Sequence, residues 1–343
     1  MDAEVARTQR PWRRYALGAV GLVFVVVTFA YFLPKIADYR DVWGIVRDLS
    51  WPWIVALLAV TALNILTFAP PWIAALPGLR FRDALALTQI ATAISIVVPA
   101  GAAVGIAGAY GILRRWGFAP REIARAVTLV SLWNQFANLS YPIVAVFLLT
   151  ATGGDSALLA TAAFVGVAVL GVAVAALGLV LSSPRMAMEI GNLTAAAASW
   201  GLALLRRPPV AWGGASFDRF RDDAVVLLRQ RWHLLTLATI VGTLNVFLVL
   251  LVALRACDVP GSEVSLVEAF AAWSLARILG SFPITPGGVG VVELGLTGAL
   301  IGFGGTNAGV VAAVLIYRFL TMAPTVIAGL VATVAIRRRV APA

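Results

Sequence analysis

The chain holds one cysteine (Cys257), one histidine (His233) and one lysine (Lys35) among its 343 residues. A single cysteine excludes an internal disulfide, and one cysteine with one histidine cannot assemble a Cys/His zinc site. A phosphate-binding Walker loop needs a lysine behind a run of glycines at a helix start. Lys35 stands in Leu-Pro-Lys-Ile, so transport driven by this chain's own ATP hydrolysis is not expected. Charge is scarce as well: Asp, Glu, Lys and Arg make up 12% of the residues, against about 25% in an ordinary soluble domain.

Hydrophobic residues supply 61% of the chain and the mean hydropathy is +0.94. The apolar residues fall in runs of roughly 18 to 28, long enough at about 1.5 Å per residue to cross a hydrocarbon core about 30 Å thick. The composition therefore predicts an all-α polytopic membrane protein. The net charge of +10 does not point to nucleic acid, because the arginines stand beside the apolar runs, as in cytoplasmic loops under the positive-inside rule. The first run, 15–33, follows Arg7, Arg10, Arg13 and Arg14 but ends in Tyr-Phe-Leu-Pro-Lys without a small-residue cleavage site. It reads as a retained helix with a cytoplasmic amino terminus.

Further along, 34–50 reads as an amphipathic interfacial segment and 51–76 as a second span. Residues 84–113 form two short apolar arms broken at Val98-Pro-Ala-Gly101, and 122–150 makes a long span. A span at 157–181 leads to an arginine-rich cytoplasmic loop, 182–232, with an interfacial helix expected over 216–232. A span at 233–254, a second broken hairpin at 264–302 and a last span at 309–336 complete the series, which ends in Arg337-Arg338-Arg339. Residues 1–156 and 157–343 thus repeat one plan, and an odd number of crossings turns the second copy upside down. Pro99, Gly101, Gly108 and Gly117 match Pro286, Gly288, Gly295 and Gly304 at one constant spacing. Inverted repeats with broken or re-entrant hairpins are the sequence pointer to a midplane substrate site in transporters. The expected location is the plasma (inner) membrane, with both termini cytoplasmic.

The densest set of polar and helix-breaking residues runs from Arg277 to Glu293, Arg-Ile-Leu-Gly-Ser-Phe-Pro-Ile-Thr-Pro-Gly-Gly-Val-Gly-Val-Val-Glu. Pro286 cannot continue a helix, and Gly287, Gly288 and Gly290 permit close backbone approach, which predicts a break and a fresh helix amino terminus. Such a terminus suits an anion such as a phosphate. Arg277, Glu293 and Arg318 are ionisable groups at membrane depth, which mark a pathway or an ion pair. One reading has Glu293 orient one arginine while the other meets an anionic head group; the other makes Glu293 part of a packing pair alone. Gln89 and Pro99 in the first hairpin and Asn134 in the following span are candidates for the far wall of a cavity, or equally for interhelical hydrogen bonds.

At Pro286-Gly-Gly-Val-Gly-Val-Val-Glu293 and Tyr317-Arg318, followed by Pro324, the chain resembles the lysylphosphatidylglycerol synthase transmembrane-domain family of flippase-like membrane proteins. The resemblance extends over roughly residues 10–340. It implies a lipid-translocase fold with re-entrant helices and inverted halves, and it adds Tyr317 to the candidate substrate-binding residues. The first break departs from the family's pattern, since Val98-Pro-Ala-Gly-Ala-Ala-Val-Gly105 carries neither glutamate nor basic residue. The aminoacyl-transferase part of such proteins has no counterpart in this sequence, and aminoacylation is not expected of it.

The leading expectation is a non-enzymatic flippase or scramblase for an anionic or modified phospholipid or a polyprenyl-phosphate-type lipid. It has no catalytic residue, metal or cofactor, and its partners are membrane lipids, with a homo-oligomer open. The alternatives are a carrier for a small soluble solute, a lipid-modifying membrane enzyme and a non-transporting assembly protein.

Overall fold

The computed structural model describes residues 39–98, 101–151, 157–204, 208, 210, 213–281 and 286–340. The expected first span, 15–33, lies outside them. Twelve α-helices account for most of the described residues: α1 (Tyr39–Arg47), α2 (Trp51–Thr67), α3 (Pro70–Ala75), α4 (Phe81–Val97), α5 (Gly101–Arg115) and α6 (Pro120–Ala151). They continue with α7 (Ala157–Ser182), α8 (Pro184–Leu204), α9 (Gly214–Ala256), α10 (Leu266–Ser281), α11 (Val291–Gly302) and α12 (Asn307–Val340). No strand occurs among the described residues.

Five stretches are long and apolar enough to cross a membrane: Trp51–Ala75, Pro120–Ala151, Phe164–Ser182, Gly214–Ala256 and Asn307–Ala335. The first combines α2 and α3, interrupted because Pro70 and Pro71 cannot continue the ladder of the preceding helix. The arms α4, α5, α10 and α11 are not among the five. The shortest, α11, has 12 residues, or about 18 Å, well under a hydrocarbon core about 30 Å thick.

The segment 182–232 differs from its expected form as a loop with a separate interfacial helix. It is helical over Pro184–Leu204, and 216–232 is the first part of the 43-residue α9, which runs without a break into the expected span. No proline falls between Gly214 and Ala256, so nothing removes a backbone donor where charged sequence gives way to apolar sequence. At about 1.5 Å per residue α9 is roughly 65 Å long, twice a hydrocarbon core, which leaves its charged first turns outside that core.

The chain groups into two compact units. One gathers the described residues up to Leu66 with Leu85–Gly111 and those from Leu244 onward; the other holds Thr67–Ala84 and Ile112–Thr243. In the first, α10 packs on α11, α11 on α12, and α12 on α1. Asn245 Nδ2 donates to the Val60 carbonyl at 3.2 Å, tying α9 to α2. In the second, α6 packs on α3 and α7, and α7 on α8. Trp133 Nε1 donates to Thr236 Oγ1 at 2.8 Å. Gly191 of α8 lies so close to Phe217 of α9 that a Cβ would stand 2.7 Å from the phenylalanine Cβ.

Both hairpins end in the same backbone device. After α5, Phe118 N bonds Leu113 O and Gly117 N bonds Arg114 O, with Gly117 at φ 90°. After α11, Gly305 N bonds Leu300 O and Gly304 N bonds Ile301 O, with Gly304 at φ 117°. Each is a Schellman ending, which needs a left-handed residue that glycine adopts without a Cβ penalty. The following helices open alike, Ile123 N on Ala119 O and Val310 N on Thr306 O. Every donor and acceptor in the second set stands at the sequence spacing that separates Gly117 from Gly304.

Candidate functional site: a broken hairpin held by a buried ion pair

Between α10 and α11 the backbone turns through Pro286–Gly288, and Gly287, Gly288 and Gly290 have φ of 61°, 67° and 87°. Three left-handed residues in five cannot belong to an α-helix, and glycine alone reaches them without strain. Helix α11 then starts at Val291 with Gly290 as its cap, and Gly290 N donates to Glu293 Oε2 at 2.6 Å. The side chain of Glu293 thus reaches back over the first turn of its own helix and satisfies one of the donors a helix start leaves open.

The other carboxylate oxygen, Oε1, accepts from Arg318 Nε of α12 at 2.6 Å. Arg318 Nη2 donates to the Gly287 carbonyl at 2.8 Å. One guanidinium therefore joins the last helix to both ends of the break. Glu293 is 3% exposed and the Arg318 side chain 11%, so the pair sits in a low-dielectric setting where its members are strongly dependent on each other.

Gly287 is also where the two hairpins meet. A Cβ built on it would stand 2.9 Å from Met322 Cε, 3.4 Å from the Ile96 carbonyl oxygen and 3.6 Å from Ile96 Cα. Ile96 lies one residue before the end of α4, so the break of the second hairpin touches the rim of the first. Met322 follows Arg318 by four residues and shares its helix face.

Of the other residues singled out in the sequence, Gly288 is packed against Val292 and Gly280. Pro286 opens the turn. Tyr317 is buried beside Trp273 and within electrostatic reach of Arg318, Arg277 and Glu293. Arg277 lies over the Trp273 ring at 5.2 Å from its centroid. Trp273 is itself packed with Phe247 and Phe270. Gln89 is in the same unit but turns to α2, where its Nε2 meets the Ile65 carbonyl at 3.5 Å. Asn134 is exposed on α6 and belongs to the other unit. Pro99 lies outside the described residues.

Three participants were not singled out in the sequence. Trp273 stands four residues before Arg277 and Met322 four after Arg318, a spacing that puts each on the face of its arginine. No local signal marked Ile96, whose part is its backbone at a tertiary contact.

Five crossing-length apolar stretches, with shorter helical arms and a buried ion pair beside the Pro286–Gly288 turn, define a multi-pass helical membrane protein. The chain belongs to the family described as the lysylphosphatidylglycerol synthase TM region, whose model matches residues 18–329. No curated protein matches the sequence. Membership ties the chain to lipid handling in the membrane.

Proposed function

We propose that the protein moves an anionic or modified phospholipid, or a polyprenyl-phosphate-type lipid, between leaflets as a flippase or scramblase, without acting as an enzyme. The observation that carries the reading is the Arg318–Glu293 pair fixed at the interrupted hairpin. The same guanidinium would meet a head group beside the N–H groups of the α11 start. Arg277, held on Trp273, supplies a second cation. Acyl chains would remain in the bilayer while the head group passes. Gly288, Gly290, Pro286 and Tyr317 shape this path. The two sequence halves are read as inverted copies, in the plasma (inner) membrane with cytoplasmic termini, and a homo-oligomer is compatible with this arrangement.

The test is a leaflet-protection assay on purified protein in liposomes carrying head-group-labelled lipids of several classes. Protein-dependent loss of protection for one phosphate-bearing class, absent with Arg318→Ala in folded protein, supports the reading. Movement of none of them, with uptake of a water-soluble anion instead, would favour a solute carrier.

A further inference from the structure

In the resting arrangement the Gly287 carbonyl occupies Arg318 Nη2 at 2.8 Å, and the same residue is wedged between Met322 and Ile96. A backbone carbonyl is a neutral acceptor in the position an incoming oxyanion would take. Building on the translocase reading, we propose that Gly287 is a resident competitor that makes the site selective for phosphate-bearing lipids and couples their binding to its own withdrawal from between Ile96 and Met322.

The exchange follows from the relative strength of the acceptors. A phosphate oxygen adds ion-pair attraction and a fork-matching geometry to the guanidinium hydrogen bond, neither of which a neutral carbonyl supplies. A phosphate therefore displaces the Gly287 carbonyl, while a hydroxyl or sugar head group gains nothing by doing so. Arg318 remains oriented throughout, because its Nε stays on Glu293 Oε1. The displaced carbonyl is left without a partner in a half-buried setting, which disfavours its staying in place until it moves to another donor. Movement is open to it: Gly287, Gly288 and Gly290 carry no side chain and lie outside any α-helix. Once Gly287 shifts, its contact with Ile96 and Met322 is released.

The test is a crosslinking rate. Ile96 and Met322 both lie against Gly287, so the double variant Ile96→Cys, Met322→Cys is trapped by a short bis-thiosulfonate reagent in uncharged maltoside detergent; Cys257 is buried and leaves the reaction to the introduced thiols. Dihexanoyl phosphatidylglycerol is expected to change the crosslinking rate by about threefold or more, the shift that a modest difference in affinity between two states produces. Dihexanoylglycerol is expected to leave the rate unchanged, and inorganic phosphate reports whether a free anion suffices. Arg318→Lys, which cannot hold Glu293 and a second acceptor in a fork, is expected to remove the response. Equal rates with and without the phosphatidylglycerol, or an equal change with dihexanoylglycerol, overturn the proposal. Because the probes are compared on protein with Arg318 intact, misfolding of the lysine variant does not obscure the result. The liposome assay run in parallel separates the two ideas: lipid movement with an unresponsive crosslink removes the competitor and leaves the translocase, and absence of movement removes the translocase.

Discussion

Arg318 and Glu293 stand 25 residues apart in sequence and meet at 2.6 Å, with the carboxylate also bonded to the amide that starts its own helix. Each partner is the chief satisfaction of a buried charge in the other. Arg318→Gln or Glu293→Gln alone is therefore expected to destabilise the protein by about 3–5 kcal/mol, because an uncompensated charge stays behind. The double variant Arg318→Gln, Glu293→Gln should recover much of that loss. Thermal unfolding in detergent measures the cycle; losses that simply add in the double variant would mean the charges do not depend on one another.

Gly287→Ala meets two obstacles, a φ of 61° and a Met322 methyl 2.9 Å from the new Cβ. The first is a backbone penalty of about 1–2 kcal/mol for a residue with a side chain, and the second is relieved by shortening the neighbour. Gly287→Ala is expected to lower the unfolding temperature, and Met322→Ala added to it to restore only part of the loss. Full restoration would show that the left-handed backbone is not enforced.

Much of this centre was legible in the sequence because its parts are locally coded. Proline and closely spaced glycines announce an interruption, Glu293 three residues after Gly290 is the spacing of a capping glutamate, and an arginine within an apolar run demands a partner. The choice of Arg318 over Arg277 as that partner was not legible, since it depends on how α12 crosses α11. The length of α9 was obscured for a different reason. A change from charged to apolar sequence marks a change of solvent, not an end of helix, and no proline lies where the two meet in α9. Gln89 was legible as buried polar sequence, but its direction towards Ile65 is a matter of packing.

Cys257 lies just past the end of α9, and burial, reinforced by the neighbouring Asp258, pushes its thiol up to about 12. The thiolate is the reactive form, and a raised value leaves almost none of it at neutral pH. Native protein is expected to resist maleimide at neutral pH and to react fully after denaturation, as read by intact mass. The pH dependence has the sign of an acid whose ionised form is disfavoured by folding: alkaline conditions approaching the shifted value favour the unfolded thiolate and weaken the fold. Rapid labelling of folded protein would show that the site opens.

The glycines of the first hairpin separate packing from propensity within one helix. A Cβ on Gly105 would stand 2.5 Å from Ser95 Oγ and 2.6 Å from the Ala91 carbonyl oxygen, whereas one on Gly111 meets nothing within 4 Å. Ser95 is itself committed, its single hydroxyl hydrogen shared between Ala91 O at 2.9 Å and Gly101 O at 3.2 Å. Its hydroxyl cannot withdraw without losing those bonds, and the Ala91 carbonyl belongs to the backbone of α4. Gly105→Ala should therefore force the arms apart and cost about 1–3 kcal/mol, the usual penalty of overpacking. Gly111→Ala should be neutral or gain about 0.5–1 kcal/mol from lower chain entropy and better helix propensity. Thermal unfolding of the two variants side by side reads the difference. Equal, small effects at both positions would mean that α4 and α5 are not held in the close contact these glycines permit.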